Sequence, residues 1–209
     1  VRIIGGQWRS AKLERPASLR TRPVSDRVKE SVFNILGCRY DAPGRLPELN
    51  IADLFAGSGA FGLEALSRGA AFAWLVERNR AAGAVLDRNI HHLGCADQAK
   101  VIRADVWRGP RVWGGPMTAI DLVFLDPPFA DVRGDRGLKR TAELLAAIEE
   151  ARILTDQALI MFRHDKGLTL NDSGLTDSGL TESTSGQWRL ADQRIIGRSV
   201  LSILERSRR

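Results

Sequence analysis

The chain has 209 residues, 44% hydrophobic and 27% charged, which suits one sizeable core and an ordinary globular balance. No apolar run approaches the roughly 18 residues needed to cross a bilayer, so a membrane span is excluded. The net charge is +6, and the two cysteines, Cys38 and Cys95, lie too far apart for CxxC or Cys/His spacing, so no metal site or disulfide framework is expected.

All of the excess charge sits at one end. Residues 1–39 hold nine Lys or Arg against three acids, and the remaining 170 residues balance. Such a basic segment is the footprint of a surface that meets phosphate, or of a solvated arm that serves solubility. The start "VRIIGGQWRS" has no apolar secretory core, so a cytoplasmic location is expected.

In chain order, "RIIGGQWRSAKLE" reads as a small β-hairpin with a turn near Arg9 and Ser10, and "RPASLRTRP" as an extended link. Ser25 can cap a helix in which Val28, Val32, Phe33 and Leu36 recur at helical spacing up to Gly37. Residues 38–48 form a Pro- and Gly-containing loop. The expected organisation is a basic hairpin-and-helix extension over 1–39 and a main domain over 40–209. In the main domain "LNIADLF", "AFAWLVE", "AKVIRAD", "AIDLVFLD" and "QALIMFRH" are strands. The helices are "GAFGLEALSRG", "RAAGAVLDRNIHHLG" and "GLKRTAELLAAIEEARIL". This alternation predicts an α/β fold with a mostly parallel sheet covered on both faces. The segment around 171–186, with "DSGLT" twice in tandem, reads as a flexible insertion, and "QWRLADQRIIGRSVLSILER" as one or two closing antiparallel strands.

Chemistry concentrates at the strand ends. "DLFAGSGAFG" sets Gly57, Gly59 and Gly62 between the first strand and its helix, where glycine lets a ligand approach the backbone. Alone this loop says little. Glu77 ends the second strand, twenty residues after Gly57, where a carboxylate can accept both hydroxyls of a ribose. Asp53 is a poor neighbour for a pyrophosphate and a good one for an ammonium or sulfonium. Asp105 ends the third strand and suits an exocyclic adenine amine, or else caps a helix. The fourth strand runs into "DPPF", where two prolines stop the ladder and hold Asp126 and Phe129 on a stiff loop.

With these motifs in hand, the sequence resembles the class I S-adenosylmethionine-dependent methyltransferases, whose amino-methylating members carry (D/N)PP(Y/F). More narrowly, "RIIGGQWR", "RPVSDRVKESVFNILG", "DLFAGSGAFGLEALSRGA" and "DLVFLDPPF" together resemble the RsmD family, with Val24 where that family usually has Thr. The resemblance implies a Rossmann-like fold with a seven-stranded sheet. It implies methyl transfer to the exocyclic N2 of one guanine in 16S rRNA, within the 30S subunit or an assembly intermediate, by a monomer that needs no metal. Carried over residue by residue, it implies that Asp126 and the Pro127 carbonyl accept the amine hydrogens and that Phe129 stacks on the base. S-adenosylmethionine would then meet Asp53, Phe55, Gly57, Gly59, Glu77 and Asp105.

The RNA-contact candidates are Arg2, Arg9, Lys12, Arg22 and Arg27, with Arg133 and Arg136 just past "DPPF". Three rival readings stand beside this one. An adenine-N6 DNA methyltransferase would share "DPPF" but needs a target-recognition region for which the length leaves little room. An NAD-dependent oxidoreductase fits Asp53 poorly. The third is a non-catalytic RNA-binding module.

Overall fold

Ser25 Oγ accepts from the Val28 backbone N–H at 3.4 Å and starts α1 (Asp26–Arg39), which buries the expected Val28, Val32, Phe33 and Leu36. Gly37 does not stop the helix. A Cβ there would lie 3.3 Å from the Ala42 carbonyl oxygen, so its bare backbone lets the chain fold back over the helix end.

The structure, a computed structural model, describes residues 1–16, 24–114, 117–166, 168 and 188–206. The insertion around 171–186, most of the extended link, and Arg22 lie outside the described residues.

After α1 come β1 (Asn50–Leu54), α2 (Gly62–Ser67), β2 (Phe72–Val76), α3 (Arg80–Leu93), β3 (Ala99–Ile102) and the single turn α4 (Pro110–Trp113). Then follow β4 (Ile120–Leu125), α5 (Gly134–Glu150), β5 (Leu154–Asp165), β6 (Trp188–Ile196) and β7 (Ser199–Arg206). The strands form one seven-stranded sheet in the order β3-β2-β1-β4-β5-β7-β6. It is parallel from β3 to β5, and β7 runs antiparallel to both neighbours. This is the Rossmann-like class I methyltransferase architecture. The order reverses between β1 and β4, which opens a crevice beyond their carboxyl ends.

Alternation along the strands builds two cores. Ile51, Leu75, Phe124 and Met161 face α1, α2 and α3, while Leu54, Val76, Leu125 and Phe162 face α5. Both faces are apolar, which is why these strands read as continuous hydrophobic runs.

The amino terminus differs from a regular hairpin. Its two arms pair through the Arg2–Lys12 bridge and the bonds Ile3 N to Ala11 O, Ser10 N to Ile3 O and Leu13 N to Val1 O, while the turn between them, residues 4–8, bonds α2. Gln7 N donates to Ser67 O at 2.8 Å, and a Cβ on Gly6 would fall 1.8 Å from that same oxygen. Ile3 and Leu13 join the core cluster of α1 and α2. Lys29, on α1, is fully buried and pairs with Glu64 at 3.1 Å. Glu64 also accepts from Arg68 Nε at 2.9 Å and from the Ile4 N–H at 2.8 Å, and Lys29 Nζ bonds the Arg2 carbonyl. A buried carboxylate with three donors is well compensated, so this knot ties the basic segment to the main sheet.

Candidate functional site

The register explains how distant residues meet. Leu54, Val76 and Ile102 lie side by side on β1, β2 and β3, and Leu125 and Phe162 continue the row on β4 and β5. One step further along the chain therefore brings Phe55, Glu77, Asp126 and Arg163 to one edge of the sheet. They line a cleft of about 1060 Å³.

Asp53 sits one step inside that row and is 1% exposed. Its Oδ2 accepts from the Gly62 N–H at 2.8 Å. Burial pushes its carboxyl up to about 7, and the nearby Asp126 and Glu77 push the same way against the bond from Gly62. Glu77 reaches back to the glycine loop: Oε2 accepts from Gly57 N at 2.9 Å and Oε1 from Asn79 N at 2.6 Å. Asn79 in turn caps α3 through Ala82 N.

Phe55 has φ of 70°, an uncommon conformation for a bulky residue, and its ring meets Trp107 with centroids 5.0 Å apart. The glycines divide by role. A Cβ on Gly57 would meet nothing closer than the Phe55 carbonyl oxygen at 4.0 Å, so this glycine faces open space in the cleft. A Cβ on Gly59 would strike Leu63 and Leu86 at 2.6 and 2.7 Å, so Gly59 serves the packing of α2 and α3.

Asp126 is held by a partner that the strand-end pattern alone did not expose. Arg163 donates from Nε to Oδ1 at 2.7 Å and from Nη2 to Oδ2 at 3.0 Å. Its third nitrogen donates to Ser199 Oγ at 3.1 Å, and its guanidinium carbon lies 4.9 Å from the Phe129 ring centroid. Burial raises the Asp126 carboxyl, and the charge and hydrogen bonds of Arg163 work against that rise. The signal for Arg163 was available: matching the apolar runs "DLVFLD" and "QALIMFRH" end to end sets the arginine beside the aspartate.

Over residues 1–204 the chain matches the family described as "Conserved hypothetical protein 95". The protein named ribosomal RNA small subunit methyltransferase D of Escherichia coli K12 is 36% identical over 206 residues, covering 99% of this chain and 90% of the relative. The chain belongs to the RsmD family. YlbH of Bacillus subtilis is 33% identical over 173 residues, 83% of this chain and 87% of its own. Among solved structures, yhhF of E. coli superposes with a TM-score of 0.73 at 33% identity, covering 100% of this chain and 99% of the other. HI0767 of Haemophilus influenzae gives 0.67 at 29%, with the same coverage.

In this RsmD-family chain, Asp53, Phe55, Gly57, Glu77, Asp126, Pro127 and Phe129 all line the cleft, as do Arg27 and Arg133. Gly59 and Asp105 do not. Asp105 instead caps the short turn Val106–Arg108 through Trp107 N at 3.1 Å and pairs with Arg78 at 3.3 Å, although Ala104 and Val106 on either side reach the cleft. Arg9, Lys12 and Arg136 are exposed away from the cleft lining, and Arg2 pairs with Asp26 at 2.8 Å. Arg133 pairs with Asp165 at 2.6 Å on the cleft wall. Trp8 is packed against the core. Besides Arg163, the structure adds Arg15, Asn79, Arg198 and Ser199 to the lining, none of them singled out by motif. Among the described residues no group of His, Cys, Asp and Glu is arranged to hold a metal, and no helix is long and apolar enough to cross a membrane.

Proposed function

We propose that the chain transfers a methyl group from S-adenosylmethionine to the exocyclic N2 amine of one guanine in 16S rRNA. It acts as a monomer in the cytoplasm, on the 30S subunit or an assembly intermediate. The observation that carries this reading is that Asp126, Pro127 and Phe129 line one cleft together with Asp53, Gly57 and Glu77. RsmD-family membership and the relative named as a small subunit rRNA methyltransferase support the RNA substrate.

The cleft fits the cofactor. Gly57 offers a wall with no side chain, Glu77 has a carboxylate for the ribose hydroxyls, and Asp53 supplies a buried acid that a nearby cation would ionise. Val106 and Ala104, which line the cleft, supply apolar surface for the adenine. S-adenosylmethionine would supply an electrophilic methyl on a sulfonium, whose S–CH3 bond breaks as the N–CH3 bond forms, leaving neutral S-adenosylhomocysteine. The guanine amine is a weak nucleophile because its lone pair is delocalised into the ring. Asp126 accepts one amine hydrogen and the Pro127 carbonyl the other, which fixes the nitrogen where its lone pair becomes available. Phe129 stacks on the extruded base, a contact worth about 1 to 3 kcal/mol. The nitrogen grows acidic as the new bond forms, and its proton leaves late, to Asp126 or to water. Arg27 and Arg133, which line the cleft, meet the RNA backbone, with Arg9 and Lys12 as further contacts.

The test is Asp126→Ala. Transfer to RNA should vanish while S-adenosylmethionine affinity stays within about threefold of wild type, as expected of a group that acts on the acceptor. An equal loss of cofactor binding would remove Asp126 from the acceptor side.

A further inference from the structure

Asp126 cannot be understood apart from Arg163. The two side chains are only 11% and 15% exposed, and the guanidinium fork engages both carboxylate oxygens. A carboxylate has about four lone-pair sites, so a bidentate fork takes one on each oxygen and leaves one on each. The fork therefore does not saturate Asp126. It stops the carboxylate from rotating and aims the remaining sites. The same guanidinium lies over the ring of Phe129, which also lines the cleft where a base would enter. Ser199, at the start of β7, fixes its outer nitrogen. One residue of β5 thus sets the orientation of both the acid and the ring in the "DPPF" loop of β4.

We propose that Arg163 is a positioning residue for the methyl acceptor: its fork orients Asp126 to receive the target amine while its planar face backs Phe129 against the base. This deepens the function proposed above and rests on it. The fork also sets the charge state that the role needs. An ionised Asp126 accepts an amine hydrogen, whereas a protonated one would present a donor to a donor. Burial drives Asp126 towards the protonated form, and the cleft's other acids are Asp53, Glu77 and the Arg133-paired Asp165. The cleft's other cations are Arg15, Arg27 and Arg198, with Arg78 engaged by Asp105 and Arg133 by Asp165, and Arg163 is the cation bonded to Asp126 itself.

Two variants separate fork, charge and bulk. Arg163→Met keeps the stem but loses fork and charge, and Arg163→Lys keeps the charge without the planar fork. With Arg163→Met, kcat at pH 7 should fall about 10- to 100-fold, the range for losing a hydrogen-bonded charge pair. The acid limb of its pH–rate profile should move to higher pH, so activity returns in alkaline buffer. Cofactor affinity should stay within about twofold of wild type, since the fork touches the acceptor side. With Arg163→Lys the acid limb should stay near wild type while kcat remains depressed. Arg163→Met with wild-type kcat and profile would overturn the proposal. So would a rate loss with an unmoved acid limb that Lys does not soften, because that is the signature of lost packing alone. A titration of the Asp126 carboxyl carbon by NMR reads the clamp without turnover. It should titrate higher in Arg163→Met than in wild type, and equal titration would overturn the proposal. If wild type transfers no methyl to RNA but this difference holds, the clamp stands and the RNA reading falls.

Discussion

If the cleft takes S-adenosylmethionine as proposed, the buried acid Asp53 makes that binding pH-sensitive. Burial is the chief cause that pushes its carboxyl up to about 7. A sulfonium or ammonium nearby favours the ionised form, so binding must expel the proton that Asp53 holds below that value. If the bound state returns the carboxyl to its ordinary range, affinity tracks the fraction already ionised: about one half at pH 7, one tenth at pH 6 and one hundredth at pH 5. S-adenosylmethionine should then bind about fivefold more weakly at pH 6 than at pH 7, and about 50-fold more weakly at pH 5, a loss of about 2.3 kcal/mol. Calorimetry in buffers of different ionisation heat should count about 0.9 proton released per cofactor near pH 6. Asp53→Asn should flatten both signals. The sign for the empty fold is opposite: the native state holds this proton more tightly than the unfolded chain, so its contribution to stability is full below about pH 4 and is lost as pH rises through about 7. An affinity for S-adenosylmethionine that is constant from pH 5 to 7, or a slope that survives Asp53→Asn, would refute this account.

Three further outcomes test other parts of the structure. Gly57→Ala should weaken cofactor binding by about tenfold with a loss of only about 1 to 2 kcal/mol of stability from its positive φ, whereas Gly59→Ala should chiefly destabilise, because its methyl meets Leu63 and Leu86; thermal melts and cofactor titration distinguish them. Lys29→Met should cost about 3 kcal/mol and lower Tm by about 10 °C, with early proteolysis within residues 1–16, because Glu64 and the Arg2 carbonyl lose their buried partner. Reversing charge at Arg9 and Lys12 should weaken RNA binding and reduce its salt slope by about 1 per residue, read by filter binding across a salt series.

Strand ends were legible because each carries a chemical contradiction: an acid closing an apolar run, or two prolines where a ladder should continue. Glu77 and Asp126 stand out for that reason, Asp53 as an acid inside an apolar run, and parallel pairing brings the three to one end of the sheet. Partnerships were harder. Arg163 looks like an ordinary charged residue late in a strand until the Leu125–Phe162 register sets it beside Asp126. Lys29 reads as part of the basic surface, since helical spacing shows which positions are inward but not that an inward lysine has a glutamate waiting on another helix. The glycine loop shows the same limit. Its spacing is visible, but only the neighbours of each missing Cβ separate Gly57, open to the cleft, from Gly59, pressed on two leucines. The amino-terminal segment had the alternation of a hairpin and its arms do pair, but the bonds of its turn to α2 depend on a partner sixty residues away that local alternation does not show.

The most direct test of the central claim is methyl transfer from radiolabelled S-adenosylmethionine to 16S rRNA, both naked and in 30S particles, with duplex DNA alongside and nucleoside analysis of the product. N2-methylguanine in RNA, at one position and in one RNA form over the other, is the predicted result. N6-methyladenine in DNA, or no methylated nucleoside despite cofactor binding, would contradict it.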